Sequence, residues 1–239
     1  MKNTKKVNLE TFDFSGFSNN VPLFENITFS LKEGEILVLY GPRGSSKSAL
    51  LRSFSRLNEE VYDDIKYTGS AFVYQQDLFS YSIKEIRNLV LYVDTNFFEA
   101  LDYLSFGEFL ELATGNEMLS FDDYIPLLDD FGVLKALTDK FDTKLSTFYV
   151  LEKISALLFV AYLKKSKVII LDCILDHLDD EHLNKISKIL RKNVVSNEKS
   201  LIIATRFFKR FLPLADLFIS MKNGKIEFRG EPREYTIAR

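Results

Sequence analysis

The chain has no tryptophan, one cysteine and two histidines among its 239 residues. The lone thiol, Cys173, excludes an internal disulfide and a cysteine-based metal cluster and fits a reducing compartment. His177 and His182 by themselves make a poor metal site. Neither sign of charge predominates: 31 Lys and Arg stand against 34 Asp and Glu, a formal net charge of -3. No global basic field is on offer to nucleic acid, and Lys2, Lys5 and Lys6 read as a solvated terminus. Met1 to Lys6 lacks the apolar stretch of a secretory signal, and runs such as Leu157 to Leu163 fall far short of the ~20 apolar residues of a membrane span. The expectation is a cytoplasmic chain with no membrane span of its own and no nucleic-acid partner.

What the sequence does have is phenylalanine and tyrosine, 22 and 11 of them in a composition that is 46% hydrophobic. That is enough to bury a full core without staples, with aromatic residues serving either the core or a partner surface. No internal repeat, low-complexity tract or flexible linker is present. Val7 to Phe14, Ile27 to Leu31, Ile36 to Tyr40, Ser70 to Tyr74, Val168 to Leu171 and Leu201 to Ala204 read as strands. Val61 to Tyr67 reads as irregular. Ser48 to Leu57, Leu151 to Leu163 and Leu183 to Leu190 read as helices. From about Ile83 to Lys140 the spacing is helical, interrupted by Gly115-Asn116 and Pro126. Leu217 to Met221 and Lys225 to Phe228 flank Asn223-Gly224, a dipeptide suited to a two-residue hairpin turn. Strands alternating with helices predict an α/β fold with a mainly parallel sheet.

The chemistry concentrates in Gly41-Pro42-Arg43-Gly44-Ser45-Ser46-Lys47-Ser48, between an apolar strand and Ala49-Leu50-Leu51. Strand, glycine loop and helix are the setting of a phosphate-binding loop, with Lys47 for the β- and γ-phosphates and the Ser48 hydroxyl for Mg²⁺. The strict pattern requires glycine where Ser46 stands, which puts a Cβ where backbone approaches the nucleotide. A simple Gly/Ser turn is the alternative. A second element favours the nucleotide: Val168 to Leu171 delivers Asp172 at its C-terminal end, the carboxylate that holds Mg²⁺ opposite the loop serine in such proteins.

The order of these segments resembles the nucleotide-binding domain of an ABC transporter, over nearly the whole chain. The resemblance implies a P-loop NTPase-type fold with a small antiparallel β part, in one domain over residues 1–239. Its core would lie at about 1–80 and 150–239, and its helical subdomain at about 82–148. The Gly69 to Phe79 stretch looks like the family's Q-loop, with Gln75, or else Gln76, reaching Mg²⁺ and the attacking water. Leu145-Ser146 sits where the signature opens a helix, leaving Ser146 as its N-cap. Leu178-Asp179 looks like the D-loop, so that Ser146 and Asp179 would lie at a dimer interface. Phe14, or else Phe17, is placed like the aromatic that stacks on adenine. The implied nucleotide site comprises Phe14, Gly41, Arg43, Gly44, Ser45, Ser46, Lys47, Ser48, Ala49 and Gln75, with Ser48, Gln75 and Asp172 on Mg²⁺.

Where the family has a glutamate that polarises water, this chain has Cys173; a thiol is a weak acceptor, and losing such a group typically removes about 10²–10⁴ in rate. Asp176 or Asp179 would have to replace it. The switch histidine is Arg206, which only donates; it would either grip a phosphate or pair with a carboxylate. Thr147-Phe148-Tyr149 replaces the signature glycines and glutamine, Phe148 is expected to obstruct the approach to the opposite subunit's phosphate, and the spacing from Leu145 to Asp172 exceeds the family norm. The expectation is a degenerate Mg-ATP-binding subunit with weak or absent hydrolysis, peripheral on the inner membrane face. Its partners would be transmembrane subunits and a second ABC-type subunit or itself. An active ATPase and a nucleotide-free scaffold are the alternatives.

Overall fold

A computed structural model describes residues 5–115 and 124–237; Lys2 and Asn116, named above, lie outside that range. Two sheets form among the described residues. The antiparallel sheet has the order β2-β1-β4-β5, from β1 (Val7–Ser18), β2 (Val21–Lys32), β4 (Ile65–Val73) and β5 (Gln76–Asp77). The second has the order β10-β9-β3-β8-β7-β6, from β3 (Ile36–Tyr40), β6 (Val90–Asp94), β7 (Val168–Asp172), β8 (Ser200–Thr205), β9 (Leu217–Lys222) and β10 (Lys225–Gly230). It is parallel except for β10, which returns through Asn223 and Gly224, both at positive φ as the hairpin turn requires.

The central strands are continuous apolar runs because both of their faces are covered. Leu37 and Leu39 of β3, Ile170 of β7 and Ile202 of β8 point toward the antiparallel sheet and α1 (Lys47–Ser53). Ile36, Val38, Ile169, Leu171, Leu201 and Ile203 point the other way, toward α8 (Val150–Leu163) and α9 (Asp180–Ser196). That alternation is the period-2 geometry of a strand. The helices α4 (Thr95–Ala100), α5 (Phe106–Thr114), α6 (Ile125–Phe131) and α7 (Leu134–Lys140) follow β6 in the chain, and Phe106, Phe109, Leu128 and Phe131 extend the second core. Buried Lys153 of α8 ties this region down through an ion pair with Asp102 and a position 5.1 Å over the Phe98 ring.

The structure corrects the sequence reading in four places. The first two strands run to Ser18 and from Val21, joined by Asn19-Asn20 at positive φ; asparagine tolerates that conformation, and the turn carries no glycine to announce it. The expected irregular segment before Tyr67 is the start of β4. The helix after the phosphate loop ends at Ser53, and Arg56 at φ 57 turns the chain into α2 (Asn58–Val61). Within the stretch read as helical, α3 (Ile83–Leu89) is followed by β6, which pairs with β7. Its short apolar run lies hidden between two helical patterns.

Phe14 is fully buried and packs on Phe24, Phe54 and Tyr67 at ring-centroid distances of 5.4, 6.2 and 5.4 Å. Phe14→Ala is predicted to cost about 3–5 kcal/mol of stability, read by chemical denaturation. A second prediction concerns Lys199, which donates to the carbonyl of Ser166 at 2.6 Å. Burial, and then the nearby Lys167 ammonium, lower it from an ordinary 10.5 to about 8. Between those values the unfolded chain binds more protons than the folded one, so stability rises with pH across that window. The rise is up to about 3 kcal/mol at 1.36 kcal/mol per pH unit, and Lys199→Met removes it from a pH series of unfolding curves.

Candidate functional site

The C-terminal ends of the parallel strands converge because their registers align. Tyr40 of β3 pairs with Thr205 of β8, Asp172 of β7 pairs with Ala204, and Asp94 of β6 pairs with Asp172. A cleft of about 650 Å³ opens there, lined by Arg43 through Ala49, Arg52, Leu23, Tyr62, Thr95, Cys173, His177 and Arg206. Such a crevice beyond the carboxyl ends of a parallel sheet is where open α/β folds place ligands.

The loop is held by its own backbone. A Cβ on Gly41 would collide with Ser45 Oγ and lie 2.6 Å from the Met221 carbonyl oxygen, so only glycine fits. Gly44 takes φ 82 and Ser46 takes φ 69, and Ser46 makes no side-chain cap to α1. The left-handed conformation costs a non-glycine residue about 1–2 kcal/mol, which is the energetic meaning of the missing glycine. The ammonium of Lys47 donates to the carbonyls of Gly41 at 2.6 Å and Pro42 at 3.2 Å and to Ser45 Oγ at 3.1 Å. Burial lowers its pKa, opposed by Cys173, Asp172 and Asp176. An anion in the cleft would exchange those three neutral acceptors for charged ones, a stronger class of hydrogen bond.

Asp172 is the acidic counterpart. Its Oδ2 accepts a 2.9 Å hydrogen bond from the Tyr92 hydroxyl, while the equally buried Oδ1 has no hydrogen-bond partner. A buried carboxylate oxygen left unpaired is costly unless a cation meets it. Ser48 lines the cleft and Asp172 directly precedes its lining residue Cys173, and such a pair of hard oxygen donors suits Mg²⁺. Gln75, also expected on the metal, is exposed at φ 68 and does not line the cleft; Gln76 donates to Ser80 Oγ at 2.9 Å instead.

The remaining expected positions are distributed unevenly. The Cys173 thiol borders the cleft at φ 60 and is pushed up to about 12, by burial first and then by the Asp172 and Asp176 carboxylates. It is a neutral thiol at physiological pH. Arg206 pairs with a carboxylate, and the partner is buried: Asp176 Oδ2 accepts from its backbone N–H at 3.1 Å and its Nε at 3.2 Å, while Oδ1 accepts from Thr205 at 2.5 Å. Both oxygens of Asp176 are therefore engaged. Asp179 is also engaged, capping α9 through the His182 N–H at 2.8 Å. Phe14 has no exposed face for a base to stack on, and the half-buried Phe17 does not line the cleft.

Ser146 is not the N-cap of the signature helix. It lies in a 3₁₀ turn, and α8 begins at Val150 with Tyr149 as its N-cap residue, whose N–H donates to Glu152 at 2.9 Å. The later start accounts for the long spacing to Asp172. Phe148 does not project as an obstruction: it turns inward, 5.6 Å from the Phe106 ring. Tyr149 projects instead, 76% exposed.

Arg52, Tyr62, Thr95 and His177 were not singled out for the cleft by their motifs. Arg52 and His177 could have been found by their nearness to the phosphate loop and to Asp172; Thr95 depends on β6, and Tyr62 on the turn at Arg56.

The ABC transporter family model matches residues 24–173, more than half of the chain and including both the loop and Asp172. This chain belongs to the ABC transporter family. Among curated relatives, it is 24% identical over 219 residues to the petrobactin import ATP-binding protein YclP of Bacillus subtilis, covering 89% of this chain and 82% of that one. It is 25% identical over 228 residues to the energy-coupling factor transporter ATP-binding protein EcfA1 of Fusobacterium nucleatum, covering 95% and 82%. A match to the phosphate import ATP-binding protein PstB of Pyrobaculum aerophilum is 38% identical but spans 71 residues, 30% of this chain and 28% of that protein. The structure of cbiO1 from Clostridium perfringens, part of the ABC transporter complex cbiONQ, superposes with a TM-score of 0.81 at 20% identity, covering 98% and 92%. At that identity the likeness concerns the fold. No described helix is long and apolar enough to cross a membrane.

Ser46→Gly is predicted to stabilise the protein by about 1 kcal/mol, the relief of left-handed strain less the extra freedom of glycine in the unfolded chain. Urea unfolding measures it, and a destabilised variant would show that Ser46 is not strained.

Proposed function

We propose that this chain is the ATP-binding subunit of an ABC transport complex, one that holds Mg-ATP with little hydrolysis and serves a structural or regulatory role. It acts beside transmembrane subunits on the cytoplasmic membrane face, paired with a second ABC-type subunit or with a copy of itself. The observation that carries this reading is Cys173, a neutral thiol in the place of the water-polarising glutamate. Family membership and the named import ATP-binding relatives support the ATP and the transport context.

The division of labour follows from the residues. Gly41, Gly44, Lys47 and Ser48 cradle phosphates, and Arg43 and Arg206 line the same cleft with positive charge. Ser48 and Asp172 would hold Mg²⁺, which would supply neutralisation of the phosphate charge. Against these holding groups, the groups that would activate water are deficient. Cys173 accepts hydrogen bonds weakly, and Arg206 has no acceptor atom and is anchored to Asp176. Tyr149 at the start of α8 places a bulky ring on the surface that a second subunit would meet.

The test is nucleotide binding and turnover by the purified chain with its complex partners. Mg-ATP is expected to bind at micromolar concentration and to be lost in Lys47→Ala, with turnover near background. Cys173→Glu is expected to raise turnover at least about tenfold, part of the range a positioned general base supplies. Wild-type turnover typical of the family and abolished by Lys47→Ala would overturn the reading.

A further inference from the structure

Tyr92 belongs to none of the motifs that define the cleft, yet its hydroxyl donates a buried hydrogen bond to the Asp172 carboxylate. It lies on β6, where Tyr92 pairs with Ile170 and Asp94 with Asp172 across a parallel register. The ring is 8% exposed and sits within the apolar core around α1. Its hydroxyl is 2.9 Å from Asp172 Oδ2 and 3.5 Å from Asp94 Oδ2. Asp94 caps α4 through Oδ1, accepting from the Phe97 N–H at 2.9 Å, and its Oδ2 is the more distant of the two acceptors. The tyrosine proton therefore goes to Asp172.

A carboxylate is planar, so tying one oxygen fixes the direction of the other. Asp172 Oδ1 is buried without a hydrogen-bond partner, and the neighbouring Cys173 thiol, itself pushed up by burial and then by this carboxylate, is the other side chain beside it. An isolated charged oxygen in such a place is costly, and a cation is the group that relieves the cost.

We infer that Tyr92 is a positioning residue for the divalent cation: its hydroxyl pins Oδ2 of Asp172 so that Oδ1 is presented to the metal. This rests on the nucleotide reading above. It is the outer-shell arrangement by which protein groups orient metal ligands, and removing such a partner typically weakens metal binding by about 10–100-fold. The alternative is that the hydroxyl merely satisfies a buried tyrosine, in which case its removal leaves metal affinity unchanged.

The experiment is a Mn²⁺ titration of the full chain with bound ATP, followed by electron paramagnetic resonance, in wild type and Tyr92→Phe. Phenylalanine keeps the ring in the core, and affinity for a fluorescent ATP analogue without metal checks that the loop is intact. The expected result is Mn²⁺ affinity weakened about tenfold or more, with metal-free nucleotide affinity within about twofold of wild type. Mn²⁺ affinity unchanged in Tyr92→Phe would overturn this inference and leave the nucleotide reading standing. A wild-type chain that binds no nucleotide would overturn both.

Discussion

The structure turns on a backbone conformation that its sequence makes expensive. For the loop to wrap an anion, the residue before Lys47 must adopt the left-handed conformation, and here that residue is Ser46 at φ 69. The loop accepts the strain because its surroundings fix it on several sides. Gly41 is wedged against Ser45 and the Met221 carbonyl, the Gly41 N–H donates to the Thr205 carbonyl at 3.2 Å, and Lys47 bonds back across the turn. Strain of this kind persists where neighbouring structure over-determines it, and it gathers at functional sites. The parallel sheet supplies that over-determination by bringing β3, β8 and β7 to end at one level.

Around this loop the side chains divide by chemistry. Side chains suited to phosphate or metal are present: Lys47, Ser48 and Arg43 line the cleft, and Asp172, adjacent in the chain to the lining residue Cys173, has a buried, unpaired Oδ1. On the proposed reading, those that would move a proton from water are replaced by Cys173 and Arg206, groups with poor acceptor character. Electrostatics makes the two tendencies consistent, since burial that keeps Cys173 protonated also raises the worth of a charge-assisted contact from Lys47 to an anion. On the proposed reading, a site built this way favours residence over turnover.

Much of this was legible in the sequence. The runs Ile36 to Tyr40, Val168 to Leu171 and Leu201 to Ala204 are apolar on both faces, and that alone identifies central parallel strands. Asn223-Gly224 named its own turn. Less visible was whatever depends on tertiary partners. β6 is an edge strand whose short apolar run is swamped by flanking helical spacing, so Tyr92 and Thr95 could not be placed at the site. The resemblance offers Phe14, or else Phe17, as the aromatic that stacks on a base, and a sequence does not show that the Phe14 ring turns into a cluster with Phe24 and Tyr67. The signature helix was assigned from Leu145-Ser146, while packing of Phe148 on Phe106 draws that segment inward and delays the helix to Val150. The pairing of Arg206 was read as one of two uses, and the buried Asp176 decides it.

The most direct measurement of the central claim follows the chemical fate of bound nucleotide. The purified complex is loaded with Mg-ATP carrying a labelled γ-phosphate, freed of excess, and sampled over hours for bound ATP and released phosphate. The account predicts label retained as intact ATP, with Lys47→Ala retaining none. Release of phosphate at the 1–10³ s⁻¹ typical of enzymes, or a wild-type chain that retains no nucleotide, would contradict it.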